Sequence, residues 1–245
     1  MAAWPYPLWI AHRGAGKLAP ENTLAAFRLG AAHGYRGFEC DVKLSRDGVP
    51  FLLHDATLDR TTPLRGLAAE RDWSELSRLD AGGWHSRAYA GEPPASLETV
   101  ARFVQCNAFA LNIEIKPTPG QEHHTGEAVG TAVRQLWQGQ PTWPLFSSFR
   151  PEALQGAKEA APEVPRALLL DKLWAGWEAV ANALDCVAVV TNYNVMSPAL
   201  LQQLHSAGRR GLVYTVNDPA TVAWLLTMGI DGIITDAVDR FSPAA

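Results

Sequence analysis

The sequence predicts an α/β fold of the (β/α)8 TIM-barrel class with a small insertion after a hairpin at its second strand. Three observations lead there. Apolar strand-like runs alternate with helix-periodic segments, which builds right-handed βαβ units and a parallel sheet. The chain has 245 residues, close to the roughly 250 of one such barrel. The glycine spacing that a doubly wound nucleotide-binding sheet sets after a strand is missing. His12-Arg13-Gly14-Ala15-Gly16 holds glycines, but Lys17 to Pro20 breaks the GxGxxG pattern. No Gly/Ser-rich linker or low-complexity stretch divides the chain, so residues 1–245 are expected to form a single domain.

The elements follow in order. Residues 8–12 read as a short buried strand, 20–33 as a helix stopped by Gly34, and 38–44 and 49–54 as two strands. Asp47-Gly48 between the last two is a strong two-residue hairpin signal, so the second run returns antiparallel as an extra arm at the barrel mouth. That accounts for nine strand candidates where a barrel needs eight. Residues 55–95 show no strand–helix repeat and hold Pro63, Gly66, Gly82, Gly83, Gly91, Pro93 and Pro94. They are expected to form a cap-like insertion with one short helix over 73–79. A helix over 96–106 opens at Ser96, and a strand over 109–115 stops at Pro117. Strands are then expected at 145–149, 166–170, 186–190, 212–216 and 230–234. Helices are expected from Pro151, around 174–183, over 197–207 and over 219–228.

Composition narrows the function. The net charge of −4 offers neither the basic stripe of a nucleic-acid binder nor a polybasic membrane surface. Cys40, Cys106 and Cys186 lie far apart, as expected of buried free thiols in a reducing compartment. The N-terminal residues lack a positive region, and the apolar run ends at His12. No signal peptide or membrane insertion is expected, and the cytoplasm is the expected location. The sequence carries no signal for an oligomeric state.

Candidate chemistry follows from strand alternation. On one strand Glu39 and Asp41 point one way, with Cys40 and Val42 opposite. On another, Asn112, Glu114 and Lys116 oppose Ile113 and Ile115. Apolar residues turned to the helices leave the carboxylates inside the barrel. Such burial is expensive unless they pair or bind a metal, and a hard cation, Mg2+ or Ca2+, relieves their repulsion through oxygen ligands. A two-residue loop at Asp47-Gly48 sets Asp41 opposite His54, which would stand beside the carboxylates. His12 ends the first strand, where barrels place reacting groups. Two histidines flanking a metal suit phosphoryl chemistry, one taking and one giving a proton. Arg13 or Lys116 would neutralise phosphoryl charge. Read singly, the same groups could be salt-bridge partners, but all fall at strand ends on one face of the barrel. His123-His124, adjacent on a helix, point apart and make a poor metal pair.

These residues resemble the glycerophosphodiester phosphodiesterase family. The ordered set is His12-Arg13-Gly14, Pro20-Glu21-Asn22-Thr23, Glu39-Cys40-Asp41-Val42, Asp47-Gly48, His54-Asp55, then Leu58, Arg60 and Thr61. Leu79-Asp80-Ala81-Gly82, Trp84, Glu114-Ile115-Lys116 and Ser148-Phe149 follow. Tyr214-Thr215-Val216-Asn217 and Asp231-Gly232-Ile233-Ile234-Thr235-Asp236 complete it. The resemblance implies His12 and His54 as general base and acid, and Glu39, Asp41 and Glu114 as ligands of one divalent cation. It implies Arg13, Lys116, Phe149, Tyr214 and Asn217 as substrate-binding residues. It also implies hydrolysis of small glycerophosphodiesters, such as glycerophosphocholine or glycerophosphoethanolamine, to glycerol 3-phosphate and an alcohol. Many family members carry Trp where this chain has Tyr214. A barrel acting on intact lipids and a non-catalytic binding barrel are the competing readings. The first would show an apolar or basic rim, and the second a lost histidine or carboxylate.

Overall fold

The computed structural model describes residues 4–241 and residue 243. Its strands are β1 (Trp9–Ala11), β2 (Gly37–Leu44), β3 (Pro50–Leu52), β4 (Ala110–Ile115), β5 (Leu145–Ser148), β6 (Arg166–Leu170), β7 (Cys186–Asn192), β8 (Arg210–Tyr214) and β9 (Gly232–Thr235). Its helices are α1 (Leu24–Ala32), α2 (Trp73–Leu76), α3 (Leu97–Cys106), α4 (Glu122–Leu136), α5 (Pro151–Ala160), α6 (Trp177–Ala183), α7 (Pro198–Ser206) and α8 (Pro219–Thr227). Every strand except β3 is parallel to its neighbours, and β1 pairs with both β2 and β9, so eight strands close into a barrel. The TIM-barrel expectation holds. Among the described residues no helix follows β9. Val238 and Phe241 pack into the outer core instead, with Phe241 stacked on Trp9 at 5.2 Å.

Two apolar layers show the period-two alternation at work. Phe38, Cys40, Val42, Ile113 and Ile115 belong to the layer between strands and helices. Ile10, Leu145, Ala167, Leu169, Ala188, Val190, Leu212 and Ile234 fill the inside of the barrel. On β2 and β4 that inward file is polar: Glu39, Asp41, Lys43, Asn112 and Glu114. Of the three cysteines, Cys40 and Cys186 are buried as expected, whereas Cys106, at the end of α3, is exposed.

The hairpin forms, with a register one residue from that expected. Leu44 pairs with Pro50 and Val42 with Leu52. The loop is the three residues Arg46-Asp47-Gly48, with Gly48 at φ +81° and Ser45 N–H donating to Val49 O. Three-residue hairpins take this left-handed residue at their end. Side-chain bonds fix the choice. Ser45 Oγ donates to Asp47 Oδ1 at 2.6 Å, and Asp47 Oδ1 also accepts the Trp73 N–H of the insertion. Asp41 therefore sits opposite Leu53, whose N–H donates to Asp41 O. Strand pairing ends at Leu52, so the chain is free to turn and His54 still enters the mouth.

Residues 53–96 carry α2 and two short 3-10 turns. Phe51, Leu53, Leu58, Ala68 and Leu76 give this stretch a small core of its own. The helix expected to begin at Pro20 begins at Leu24. Thr23 caps it through its hydroxyl, and residues 20–23 form a turn with Asn22 at φ +60°. The α4 helix is expected only in so far as His123-His124 stand on a helix, with no bounds given. It packs along α5 with almost no gap. A Cβ on Gly126 would lie 1.9 Å from Ala153 O, and one on Gly156 would lie 2.1 Å from His123 O.

Candidate active site

The C-terminal ends of the strands open into a cavity of about 310 Å³ lined by His12, Arg13, Glu39, His54, Asn112, Glu114, Lys116, Ser147, Phe149, Leu169, Asp171, Tyr214, Thr215 and Ile234. Strand order explains the grouping. In the β2–β4 ladder Asp41 is level with Glu114, and Glu39 lies one inward position below Asp41. Oxygens of Glu39, Asp41 and Glu114 all come within 4.8 Å of one another. Oxygens that share a cation at about 2.1–2.5 Å can be no further apart than roughly that.

Around this cluster sits a ring of cations and donors. The Arg13 N–H donates to Glu39 Oε2 at 3.0 Å, and Arg13 Nε lies 3.1 Å from Asp41 Oδ2. Lys116 Nζ stands 3.0 Å from Glu114 Oε1 and 3.7 Å from Asp41 Oδ1. Asn22 grips Asp41 twice, its amide N–H donating to Oδ2 at 2.8 Å and its carbonyl accepting the Asp41 N–H at 3.1 Å. Lys43 Nζ donates to Lys116 O, and burial together with Lys116 pushes that ammonium down to about 8. The cage is incomplete. Asp41 Oδ1 is buried without a hydrogen-bond partner among the described residues, Lys116 Nζ being too far off at 3.7 Å, and Glu114 Oε1 is met by the Lys116 ammonium alone at 3.0 Å.

The electrostatics report the same shortfall. Burial, reinforced by Asp41 and Glu114, holds the Glu39 carboxyl well above its usual range. Burial and Asp41 push Glu114 up to about 7. Burial also acts on Asp41, but Arg13, Lys116 and His54 outweigh it and hold that carboxyl below its usual range. A buried oxygen without a donor, two carboxyls short of positive charge and an all-oxygen donor set fit a hard divalent cation.

Each histidine is held from behind by an aspartate. His12 Nδ1 lies 2.7 Å from Asp236 Oδ1, and Nε2 is turned to the cavity, 3.8 Å from Glu39 Oε2. His54 Nδ1 lies 2.7 Å from Asp55 Oδ1. Such contacts place the proton on Nδ1 and leave Nε2 for chemistry. Asp236 is itself fixed by Asn217, whose amide donates to Oδ2 at 3.0 Å and whose carbonyl accepts the Asp236 N–H. The loop after β1 reaches Asp236 closely because residue 16 is glycine; a Cβ there would fall 2.1 Å from Asp236 O. Asp55 is held by Arg60, which also bonds Glu21, and Glu21 in turn bonds Arg13. Burial, with Arg13 and Lys116, keeps the His54 imidazole below its usual range against the opposite pull of Asp41 and Asp55.

Nine of the ten expected site residues meet at this mouth. Asn217 does not: it stands behind Asp236 rather than in the cavity wall. Phe149 and Tyr214 form one wall, edge to face at 5.7 Å, with Lys116 Nζ 5.9 Å from the Phe149 ring centre. Sequence reasoning gave no site role to Asn22, Asp55, Arg60, Asp171 or Asp236. All but Asp171 lie within the quoted motifs, which was the available signal.

A barrel with buried carboxylates between two imidazoles at its strand C-termini defines an enzyme suited to cation-assisted chemistry on an ester of phosphoric acid. Known proteins narrow that class. Residues 12–240 match the glycerophosphoryl diester phosphodiesterase family. A glycerophosphodiester phosphodiesterase of Caldanaerobacter subterraneus subsp. tengcongensis is 32% identical over 234 residues, covering 94% of this chain and 93% of that protein. An Oleispira antarctica phosphodiesterase, solved in complex with the product sn-glycerol-3-phosphate, superposes with a TM-score of 0.89. It is 32% identical, with 96% of this chain and 95% of that one covered. A glycerophosphodiester phosphodiesterase from Agrobacterium tumefaciens strain C58 gives 0.82 at 30% identity, with 98% and 100% covered. The chain belongs to the glycerophosphodiester phosphodiesterase family. Among the described residues no helix is long and apolar enough to cross a membrane.

Proposed function

We propose that this chain hydrolyses small glycerophosphodiesters, such as glycerophosphocholine or glycerophosphoethanolamine, to glycerol 3-phosphate and an alcohol. One observation carries the reading: carboxylate oxygens within 4.8 Å of one another share a cavity with two aspartate-held imidazoles. Glu39, Asp41 and Glu114 hold one divalent cation, Mg2+ or Ca2+. When bound, that cation polarises the phosphoryl group and offsets its charge. Arg13 and Lys116 bind the phosphoryl oxygens from the protein side. His12 and His54 work as a base and acid pair, one taking the proton of the attacking oxygen and the other protonating the leaving oxygen. Asp236 and Asp55 keep each ring turned for that exchange. Phe149 and Tyr214 pack against the carbon skeleton of the substrate. Residues 55–95 cap the site within a single domain, and Arg60 joins the cap to Glu21 and Asp55. The buried pair Cys40 and Cys186, unbridged, is in keeping with a cytoplasmic location.

The test is release of glycerol 3-phosphate from glycerophosphocholine, with and without a chelator, by wild type and by His12→Ala. Chelation is expected to abolish turnover, and His12→Ala to lower kcat by about 10²–10⁴-fold. Turnover that survives chelation, or a His12→Ala kcat within about tenfold of wild type, refutes the mechanism.

A further inference from the structure

The cavity holds polar groups that neither the carboxylate cluster nor the histidine pair employs. Asn112 on β4 is 4% exposed. It points the same way as Glu114 two residues on, about 7 Å further into the barrel at ~3.3 Å per residue. Ser147 on β5 is fully buried and stands level with Glu114 in the β4–β5 ladder. Both side chains line the cavity. Neither end of the Asn112 amide nor Ser147 Oγ has a hydrogen-bond partner among the described residues. A buried polar group left unpaired costs about 1–3 kcal/mol, and native folds meet nearly all of them with a protein group, an ordered water or a ligand.

The arrangement also says what the ligand offers. An amide presents a donor and an acceptor, and a serine hydroxyl can be either. Their complement is a group that both donates and accepts, which a hydroxyl does and an ammonium or carboxylate does not. Phe149 and Leu169 supply apolar wall above this floor. The cavity therefore fits a short carbon chain lying on Phe149 and Leu169 with a hydroxyl turned down to β4 and β5. Resting on the phosphodiesterase reading above, we propose that Asn112 and Ser147 are specificity-determining residues that bind the terminal hydroxyl of the glycerol arm.

The logic of discrimination makes this measurable. A pocket built to hydrogen-bond a substrate hydroxyl strongly rejects the analogue lacking it, because its own polar groups then stay unpaired. The metal-loaded enzyme is assayed on glycerophosphocholine and on 2-hydroxypropyl phosphocholine. The analogue lacks only the terminal hydroxyl and keeps the one next to the phosphoester. Wild type is expected to prefer glycerophosphocholine by about a hundredfold or more in kcat/KM. Asn112→Ala and Ser147→Ala are each expected to shrink that preference by about tenfold. The ratio of the two substrates isolates the contact, since a variant that merely disturbs folding lowers both rates together. A wild-type preference under about threefold, or variants that leave the ratio intact, overturns the assignment while the phosphodiesterase reading stands. Failure of wild type to cleave glycerophosphocholine at all overturns both.

Discussion

Stripping the cation should make the protein's stability fall as pH rises, and the size of the fall can be worked from the cluster. Without a cation, Glu114 keeps its proton up to about 7, against an ordinary 4.5, because of burial first and Asp41 second. A carboxyl whose folded pKa is raised binds more protons in the folded chain than in the unfolded one. Stability therefore drops as pH climbs from the unfolded value through the folded one. Below about 4.5 both states are protonated and nothing is lost; above about 7 the loss is complete. At about 1.4 kcal/mol per pH unit, the whole interval from 4.5 to about 7 amounts to about 3.5 kcal/mol from Glu114 alone. Glu39 is shifted in the same direction and adds to it. Asp41, held below its ordinary 3.8, acts the other way, but its window lies at more acid pH. Between pH 5 and pH 8 about 2.5 kcal/mol of the Glu114 contribution is lost, and for a chain of this length 1 kcal/mol moves Tm by about 2–4 °C, so the metal-free Tm should fall by about 5–10 °C. A bound cation keeps the carboxylates ionised and paired, which flattens this dependence and makes binding release protons. The assay is thermal unfolding across that pH range in chelator and in saturating Mg2+ or Ca2+. Titrations common to both samples cancel in the difference. A gap between the two Tm curves that does not widen with pH would refute the reasoning, as would a Glu114→Gln variant showing the wild-type pH dependence without metal.

Further outcomes test the support around the site. Asp236→Asn should lower kcat by about a hundredfold or more while the fold persists, since the neutral amide no longer fixes the His12 tautomer; near-normal kcat, with folding checked by circular dichroism, would show that Asp236 is dispensable. Arg60→Ala should reduce kcat/KM by about tenfold or more by releasing both Asp55 and Glu21, charge-assisted contacts that contribute about 1.5–3 kcal/mol. Arg60→Lys should recover only part, because one ammonium cannot span both carboxylates, and full recovery in kinetic assays would count against the bridging role. Gly126→Ala should destabilise the barrel by about 1–3 kcal/mol or more by driving α4 away from α5; an unchanged denaturation midpoint would mean that the two helices separate freely.

Much of the barrel was legible because strand runs and helix stripes carry their own periods. The misreadings are instructive. The extent of the α4 helix escaped notice, beyond the placing of His123-His124 on a helix, because Gly126 and Gly130, with Thr125 and the histidines, dilute the apolar stripe and are poor helix formers. Their purpose lies in another element: the glycines let the α5 backbone approach. The hairpin register slipped by one because Asp47-Gly48 serves a two-residue or a three-residue loop equally well. Ser45, and Trp73 from the insertion, decided between them. Residues 20–23 looked like a helical start, yet Asn22 is drawn into a left-handed turn by its paired bonds to Asp41, 19 residues away.

The sequence by itself determined the inward carboxylates. Alternation along a strand needs no knowledge of neighbours, so Glu39 and Asp41 on one run and Glu114 on another had to face the barrel axis once a barrel formed. Only the tertiary structure decided what holds the two imidazoles and what lies beneath them. His12 and Asp236 stand 224 positions apart. They meet because β1 pairs with β9 and closes the barrel, a long-range contact that no local period encodes. Asn217 moved for the same reason, from an expected place in the pocket to the back of Asp236. So did the unpaired amide of Asn112, visible in the sequence as an inward residue but recognisable as unsatisfied only when every neighbouring strand is in place.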